Sequence, residues 1–475
     1  MRAAPRSTTG LFTRSATVLL TVAVTAALAA PPGSARGADP RVTSRAWTSL
    51  APASTPNFAQ ASAVRAADGL QHVVWIVDEP GGANYFHTTI DANGRQGAVT
   101  RVLPTTWGQL STPVDLEADA AGVLRMSFRG TPDGDSSNFF TYRGVYSAVS
   151  TDGGATWAVP REVLAVTDAS GGGSTFVNLP DGSILGGFGD TGGFHWHVGT
   201  ISEAAEPTTT NSEFTDHDAG AAALISTGSA VYVLYQSIRG DGVYARQVWP
   251  SLGAAIRAPG GFTNPGQPMA VVNRPGVGPV AAYMLDDEVV LWDVLANQVH
   301  RVRGMGGASA PELAVLPDGH LWVAAVGPIG YAPRASRVAA RGWNVDRRPT
   351  LLPDMVNSFG VSVSASTALR AEMLMIGNDN GDPIQLNARS VAAQLVLKAT
   401  PRRWASGRAQ TVVFTVTDVD GGVARARVRA GGERCTTNGA GRCTIRFAAR
   451  RPGRVAARAT KTGYDEATVR LTVRR

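Results

Sequence analysis

Six glycines, at positions 69, 122, 182, 228, 278 and 319, each close a turn between two apolar runs, and successive ones lie 53, 60, 46, 50 and 41 residues apart. Asp-Gly and Gly-Ser between apolar, β-branched runs are hairpin signals, because glycine accepts the positive φ of a tight turn. Runs at residues 70–77, 123–128, 183–188, 230–235, 279–284 and 320–326 follow the turns, and a degenerate seventh unit covers 361–367 and 368–376. A period of 40 to 60 residues with several strands per unit predicts a β-propeller, since a four-stranded blade cannot bury both faces alone. The expectation is an all-β chain with six or seven blades over residues 39–392. A series of ordinary sandwich hairpins is the competing arrangement, and no useful helical period competes with either.

Composition narrows the class. The 475 residues include 54 Gly and 28 Pro spread along the chain, which excludes collagen and simple low-complexity disorder. Arg2, Arg6 and Arg14 precede an apolar stretch at 16–30 that ends in small residues, the pattern of a secretory signal peptide within residues 1–38. Fifteen residues broken by Thr17, Thr21 and Thr25 are too few to span a bilayer comfortably, and no long apolar run follows. The mature chain is therefore expected outside the cell or on its envelope, with no transmembrane segment and as a monomer.

Charge is unevenly shared. Residues 39–392 hold 22 Arg, no Lys and 32 acids, whereas 393–475 hold 18 basic residues and five acids, so an acidic body carries a basic tail. Outside the cell nucleic acid is a poor partner for such a tail; an anionic cell-envelope polymer, or the protein's own acidic body, suits it better. Arg outnumbers Lys 42 to 2, so arginine abundance alone says little about function.

Residues 393–475 alternate short strand patterns with Gly-containing turns at the size of an immunoglobulin-like sandwich. The segments 418–423, 436–441 and 459–464 resemble those of bacterial immunoglobulin-like domains appended to secreted proteins. Cys435 and Cys443 flank a seven-residue turn there and read as a disulfide across a hairpin.

Ser150-Thr-Asp152-Gly-Gly154-Ala-Thr156-Trp157 matches the S-x-D-x-G-x-T-W Asp box. Its expected role is structural: Ser150 and Asp152 accept from turn N–H groups, Gly154 takes the unusual dihedral, and Trp157 packs beneath. On this box and degraded copies such as 178–183, the body resembles the sialidase-like β-propeller superfamily. In its catalytic members the resemblance implies an arginine triad, a tyrosine nucleophile assisted by glutamate, and an acid/base aspartate. The early Arg-Ile-Pro signature of those enzymes is absent here.

Arg129, Arg143 and Arg239 stand in recurring Arg-Gly turns, and a guanidinium fork suits carboxylate or sulfate on a sugar; solvent-facing hairpin positions are the plainer meaning. Tyr142 and Tyr244 offer a phenol or a stacking face. His195 and His197 flank Trp196 on a predicted strand, so the two imidazoles share one side, and His217 follows in the next loop. These histidines and tyrosines are the catalytic candidates, and the three arginines with Trp196 the substrate-binding ones. No cofactor is expected; Asp379 and Asp382 offer oxygens that Ca²⁺ would use, short of a complete loop motif. Together these features predict recognition of extracellular glycans, either with exo-glycosidase (less readily lyase) action or as a non-catalytic lectin or envelope scaffold.

Overall fold

The computed structural model describes residues 41–42, 47–54, 60–111, 114–119, 121–132, 142–169, 174–179, 183–189, 196–201, 212–213, 219–237, 242–260, 269–327, 332–355, 360–378, 383–448 and 451–475. The expected export segment lies outside these residues. All regular elements among them are β-strands, and none of the described residues forms a helix long and apolar enough to cross a membrane.

The local rules are plain at the first hairpin. Asp68 Oδ1 accepts from Leu70 N at 2.8 Å and Gly69 turns at φ +81°, so the chain reverses between Ser62–Arg65 and Gln71–Glu79. Asp119 with Gly122 (φ +81°) and Asp318 with Gly319 (φ +91°) repeat the device. The strand Gln71–Glu79 opens with six consecutive buried residues, because neighbouring sheets cover both its faces.

Each unit is built on a four-stranded antiparallel sheet, to which the second adds Gln109–Leu110 and the sixth adds Arg41–Val42 in parallel. The first is Ser62–Arg65, Gln71–Glu79, Gly82–Ile90 and Thr100–Arg101. The second is Asp115–Ala118, Leu124–Thr131, Tyr142–Ser150 and Arg161–Ala169, and the third Ser174–Asn178, Ile184–Gly189, Trp196–Ile201 and Ser212–Glu213. The fourth, fifth and sixth begin at Ala219–Ser226, Ala270–Arg274 and Ser309–Val315. The seventh holds Val361–Thr367, Arg370–Gly377 and Gln385–Gln394, and takes its outer strand, Thr48–Pro52, from the other end of the chain. Among the described residues, the first strand of every sheet touches the first strands of the sheets before and after it, and the seventh touches the first. That cyclic order is a closed propeller ring.

Apolar clusters fill the seams between sheets. Trp75, Tyr85, Trp107 and Phe128 lie between the first and second, with Ile376 and Leu386 of the seventh, and Trp292 and Tyr283 between the fourth and fifth. Clusters also occupy the third–fourth, fifth–sixth and sixth–seventh seams. Only the seam between the second and third sheets has no such cluster among the described residues.

The chain leaves the seventh sheet directly into a two-sheet module. One sheet contains Val396–Thr400, Gln410–Asp418, Gly421–Gly422 and Arg442–Phe447. The other runs Arg403–Ala405, Ala467–Arg474, Gly453–Thr460, Arg427–Ala430, Glu433–Thr436 in spatial order. Strict alternation in Ala467–Arg474 buries Ala467, Val469, Leu471 and Val473 against Phe414 and Phe447. Cys435 and Cys443 are bonded, with Cα atoms 6.0 Å apart. The expectation of a bridge across one hairpin is corrected in detail: their strands belong to different sheets, because the chain switches sheets at the intervening turn.

The module is clamped to the ring. Arg337, 1% exposed, reaches Asp418 at 2.9 Å and Asp420 at 2.8 Å, and His320 meets Asp420 at 2.8 Å. Tyr464 donates to Asp418 at 2.8 Å, and Tyr464–Asp465 adds in parallel to the seventh sheet.

Candidate functional site

The exceptional seam is polar by sequence. Leu124-Arg-Met-Ser-Phe-Arg129 alternates, so Leu124, Met126 and Phe128 share one face of the second sheet while Arg125, Ser127 and Arg129 share the other. Register places Asp115 opposite Ser127 and Glu117 opposite Arg125, on the arginine face. Glycine at 130 belongs to the same strand end: a Cβ there would stand 2.7 Å from the Trp107 ring. Both carboxylates reach the third sheet, where Phe176 N donates to Asp115 at 2.7 Å and Asn178 Nδ2 to Glu117 at 2.9 Å. Burial raises the pKa of both, and the Asp115 charge raises Glu117 further, against the opposing effects of Arg125 and these donors.

A third carboxyl faces the ring's interior from the sixth sheet. Gln60 Nε2 donates to Glu312 at 2.8 Å and to Val361 O at 3.1 Å, joining the first, sixth and seventh sheets. Burial pushes Glu312 up to about 7, so near neutrality it holds a proton part of the time. Asp115, Glu117, Glu312 and Gln60 were not among the sequence candidates. Their signal was weak: an Asp-Leu-Glu alternation on a short strand looks like an ordinary half-exposed edge.

Strand order sorts the candidates by end. First strands start, second strands finish and third strands start at one end of the ring, the mouth. Arg129 lies near the finish of a second strand and is 5% exposed, in the polar seam just above Asp115. Tyr142 and Arg143 start the third strand of the same sheet, with Val145 paired to Arg129. Trp196 and His197 start the corresponding strand of the third sheet, where His197 is in register with Phe188 and Glu213. Tyr244 starts that of the fourth, but its ring is buried and stacked on Tyr235 at 5.4 Å in the apolar third–fourth seam. His195, His217, Arg239, Asp379 and Asp382 lie outside the described residues. Among those described, no group of three His, Cys, Asp or Glu side chains is placed to hold a metal ion.

Ser150–Trp157 sits at the opposite end, between third and fourth strands. Ser150 Oγ accepts from Gly154 N and donates to Asp152, both at 2.8 Å. Asp152 accepts from Thr156 N at 2.9 Å and from its hydroxyl at 2.6 Å, which holds the Asp152 pKa down to about 2. Trp157 packs edge-on against His87 at 5.7 Å. This turn is a staple, remote from the mouth.

The fold and seam thus define a closed β-propeller with one polar seam and a clamped C-terminal two-sheet module. No protein-family profile and no curated protein matches the chain. Among solved structures it is similar to a protein of unknown function from Dyadobacter fermentans, at 13% identity and TM-score 0.43, covering 72% of this chain and 97% of that one. It is also similar to the Hadza microbial sialidase Hz136, at 10% identity and TM-score 0.42, over 70% of this chain and 65% of that one. The SapL1 lectin, solved with alpha methyl fucoside, gives 16% identity and TM-score 0.42, over 62% of this chain and 96% of that one.

Proposed function

We propose that this chain is an exported glycan-recognising protein, with residues 1–38 its signal peptide, 39–392 a sialidase-like propeller and 393–475 an immunoglobulin-like module. The observation that carries it is the polar seam: Arg129 stands above Asp115 and Glu117 on one face, where the other seams are apolar. A buried guanidinium beside carboxyls that accept from fixed donors is suited to sugar hydroxyls and acidic sugar groups. Arg143, Trp196 and His197 start strands at the same end and complete the proposed rim. The Asp-box turn serves the fold, not the sugar.

A second reading, exo-glycosidase action, is favoured by one observation: burial lifts Glu312 to about 7, as a general acid requires. A glycan array beside a fluorogenic glycoside panel that includes a sialoside separates the two. Binding lost in Arg129→Gln without turnover supports the lectin reading. Turnover abolished by Glu312→Gln supports the enzyme, and no binding and no turnover on any glycan overturns both.

The basic module is proposed to hold an anionic polymer of the cell envelope.

A further inference from the structure

The outward face of the five-stranded sheet in the C-terminal module presents arginine, threonine and alanine alone. Alternation sends Arg454, Ala456, Arg458 and Thr460 outward from one strand and Thr468, Arg470, Thr472 and Arg474 from its neighbour. The flanking strands add Arg403 with Ala405, Arg427 with Arg429, and Arg434 with Thr436. Eight arginines thus cover one flat face whose strands place no acid on it.

Their register is unfavourable to the fold taken alone. Arg429 is directly opposite Arg458 on one side and Arg434 on the other, a row of three like charges on adjacent strands about 4.8 Å apart. Like charges directly opposite destabilise a sheet. Among the described residues only Arg458 of this face has an acidic partner, Glu466 at 3.6 Å, and that pair is largely exposed. Among the described residues Arg429 and Arg434 have no ion pair or side-chain hydrogen bond. Two of the module's five acids, Asp418 and Asp420, are turned into the ring, against Arg337.

We propose that this arginine–threonine face is the binding surface for a polyanionic polymer carrying phosphate, sulfate or carboxylate groups along its chain. The proposal rests on the envelope-polymer reading above and gives it a place. A flat array of cations a strand apart matches a repeating anion better than a single one, and the threonine hydroxyls between them can donate to its oxygens. The absence of aromatic side chains on the face argues for recognition by charge over sugar stacking.

The test uses the full chain, immobilised polyphosphate and polygalacturonate, and a salt titration. Arg429→Gln/Arg434→Gln/Arg458→Gln should weaken polymer binding at low salt at least tenfold and flatten the log–log salt slope by about 2 to 3, as expected for three lost charge contacts. Arg408→Gln/Arg442→Gln/Arg446→Gln, which removes the same charge from a turn and the other sheet, should stay within twofold of wild type. Equal loss in both variants, or none in the first, overturns the face while leaving the polymer reading standing. No wild-type binding to either polymer overturns both. Inhibition by millimolar orthophosphate matching that by an equal phosphate concentration in chains would reduce the site to a simple anion site and refute the polymer. Preference for anionic vesicles, or self-association abolished by the first variant, would assign the face to a lipid surface or a second copy and refute it too.

Discussion

Replacing Arg337 with methionine should release the C-terminal module's grip on the ring. The guanidinium is 1% exposed, contacts Asp418 and Asp420 at 2.9 and 2.8 Å, and donates to Ala368 O at 2.9 Å. Removing one partner of a buried pair costs about 3 to 5 kcal/mol, because the remaining charge stays in place without compensation. Asp418 is only 7% exposed, whereas Asp420 at 37% can be rehydrated, so the low end, about 3 kcal/mol, applies. At roughly 2 °C per kcal/mol for a unit of this size, calorimetry at pH 8 should show Tm lower by about 6 °C. The deficit should shrink on acidification. Burial pushes Asp346 up to about 7 even with the Arg337 charge lowering it, so without that charge it rises further. The variant's native state then binds a proton the unfolded chain does not, and its stability falls more steeply as pH rises from 5 to 8. Adding Asp418→Asn and Asp420→Asn should restore at least half of the loss. A Tm within 1 °C of wild type, a deficit independent of pH, or no rescue would each refute this account of the clamp.

Three further outcomes follow from the same contacts. In wild type Glu312 holds its proton to about pH 7, well above an unfolded glutamate, so the native state loses stability between about pH 4 and 7; Glu312→Gln keeps an acceptor for Gln60 and should gain relative Tm at pH 8 over pH 5, and an equal difference at both counts against it. Gly154→Ala should cost more than about 2 kcal/mol in urea unfolding, since φ is +86° and the new Cβ would lie 2.0 Å from His87 Cε1. Gly153→Ala, whose nearest neighbour is 4.0 Å away, should cost only about 1 kcal/mol; equal losses would discount the steric argument. Cys435→Ser/Cys443→Ser should lower stability by about 2 to 3 kcal/mol through the short closed loop, and a deficit that persists once wild type is reduced would refute that cause.

Hairpins were the legible part of this fold, because turn glycines and β-branched runs act locally: Val361–Thr367 and Arg370–Gly377 fall almost on the expected seventh unit. The exchange of Thr48–Pro52 into the seventh sheet was not, since pairing between residues so far apart leaves no local mark. The polar seam escaped for a related reason. Alternation along 124–130 shows two faces, but only the neighbouring sheet decides that the arginine face is buried. Nothing local to Asp418 and Asp420 marks Arg337, 81 and 83 residues away, as their partner. Of the mouth candidates, Arg129 lies in the polar seam, whereas Tyr244 followed its apolar neighbours inward.

Synthesis order gives the borrowed strand of the seventh sheet a temporal meaning. Ser49 bonds to Gln385, 336 residues later, so a ribosome working at about 5 to 20 residues per second delivers the closing partner roughly 17 to 70 seconds after the piece it must join. Until then the seventh sheet is incomplete, and the apolar faces of the first and sixth sheets lack part of the cover that it supplies. A chain interrupted anywhere before residue 385 would lack the latch altogether, so ring completion doubles as a check that translation has reached the seventh sheet.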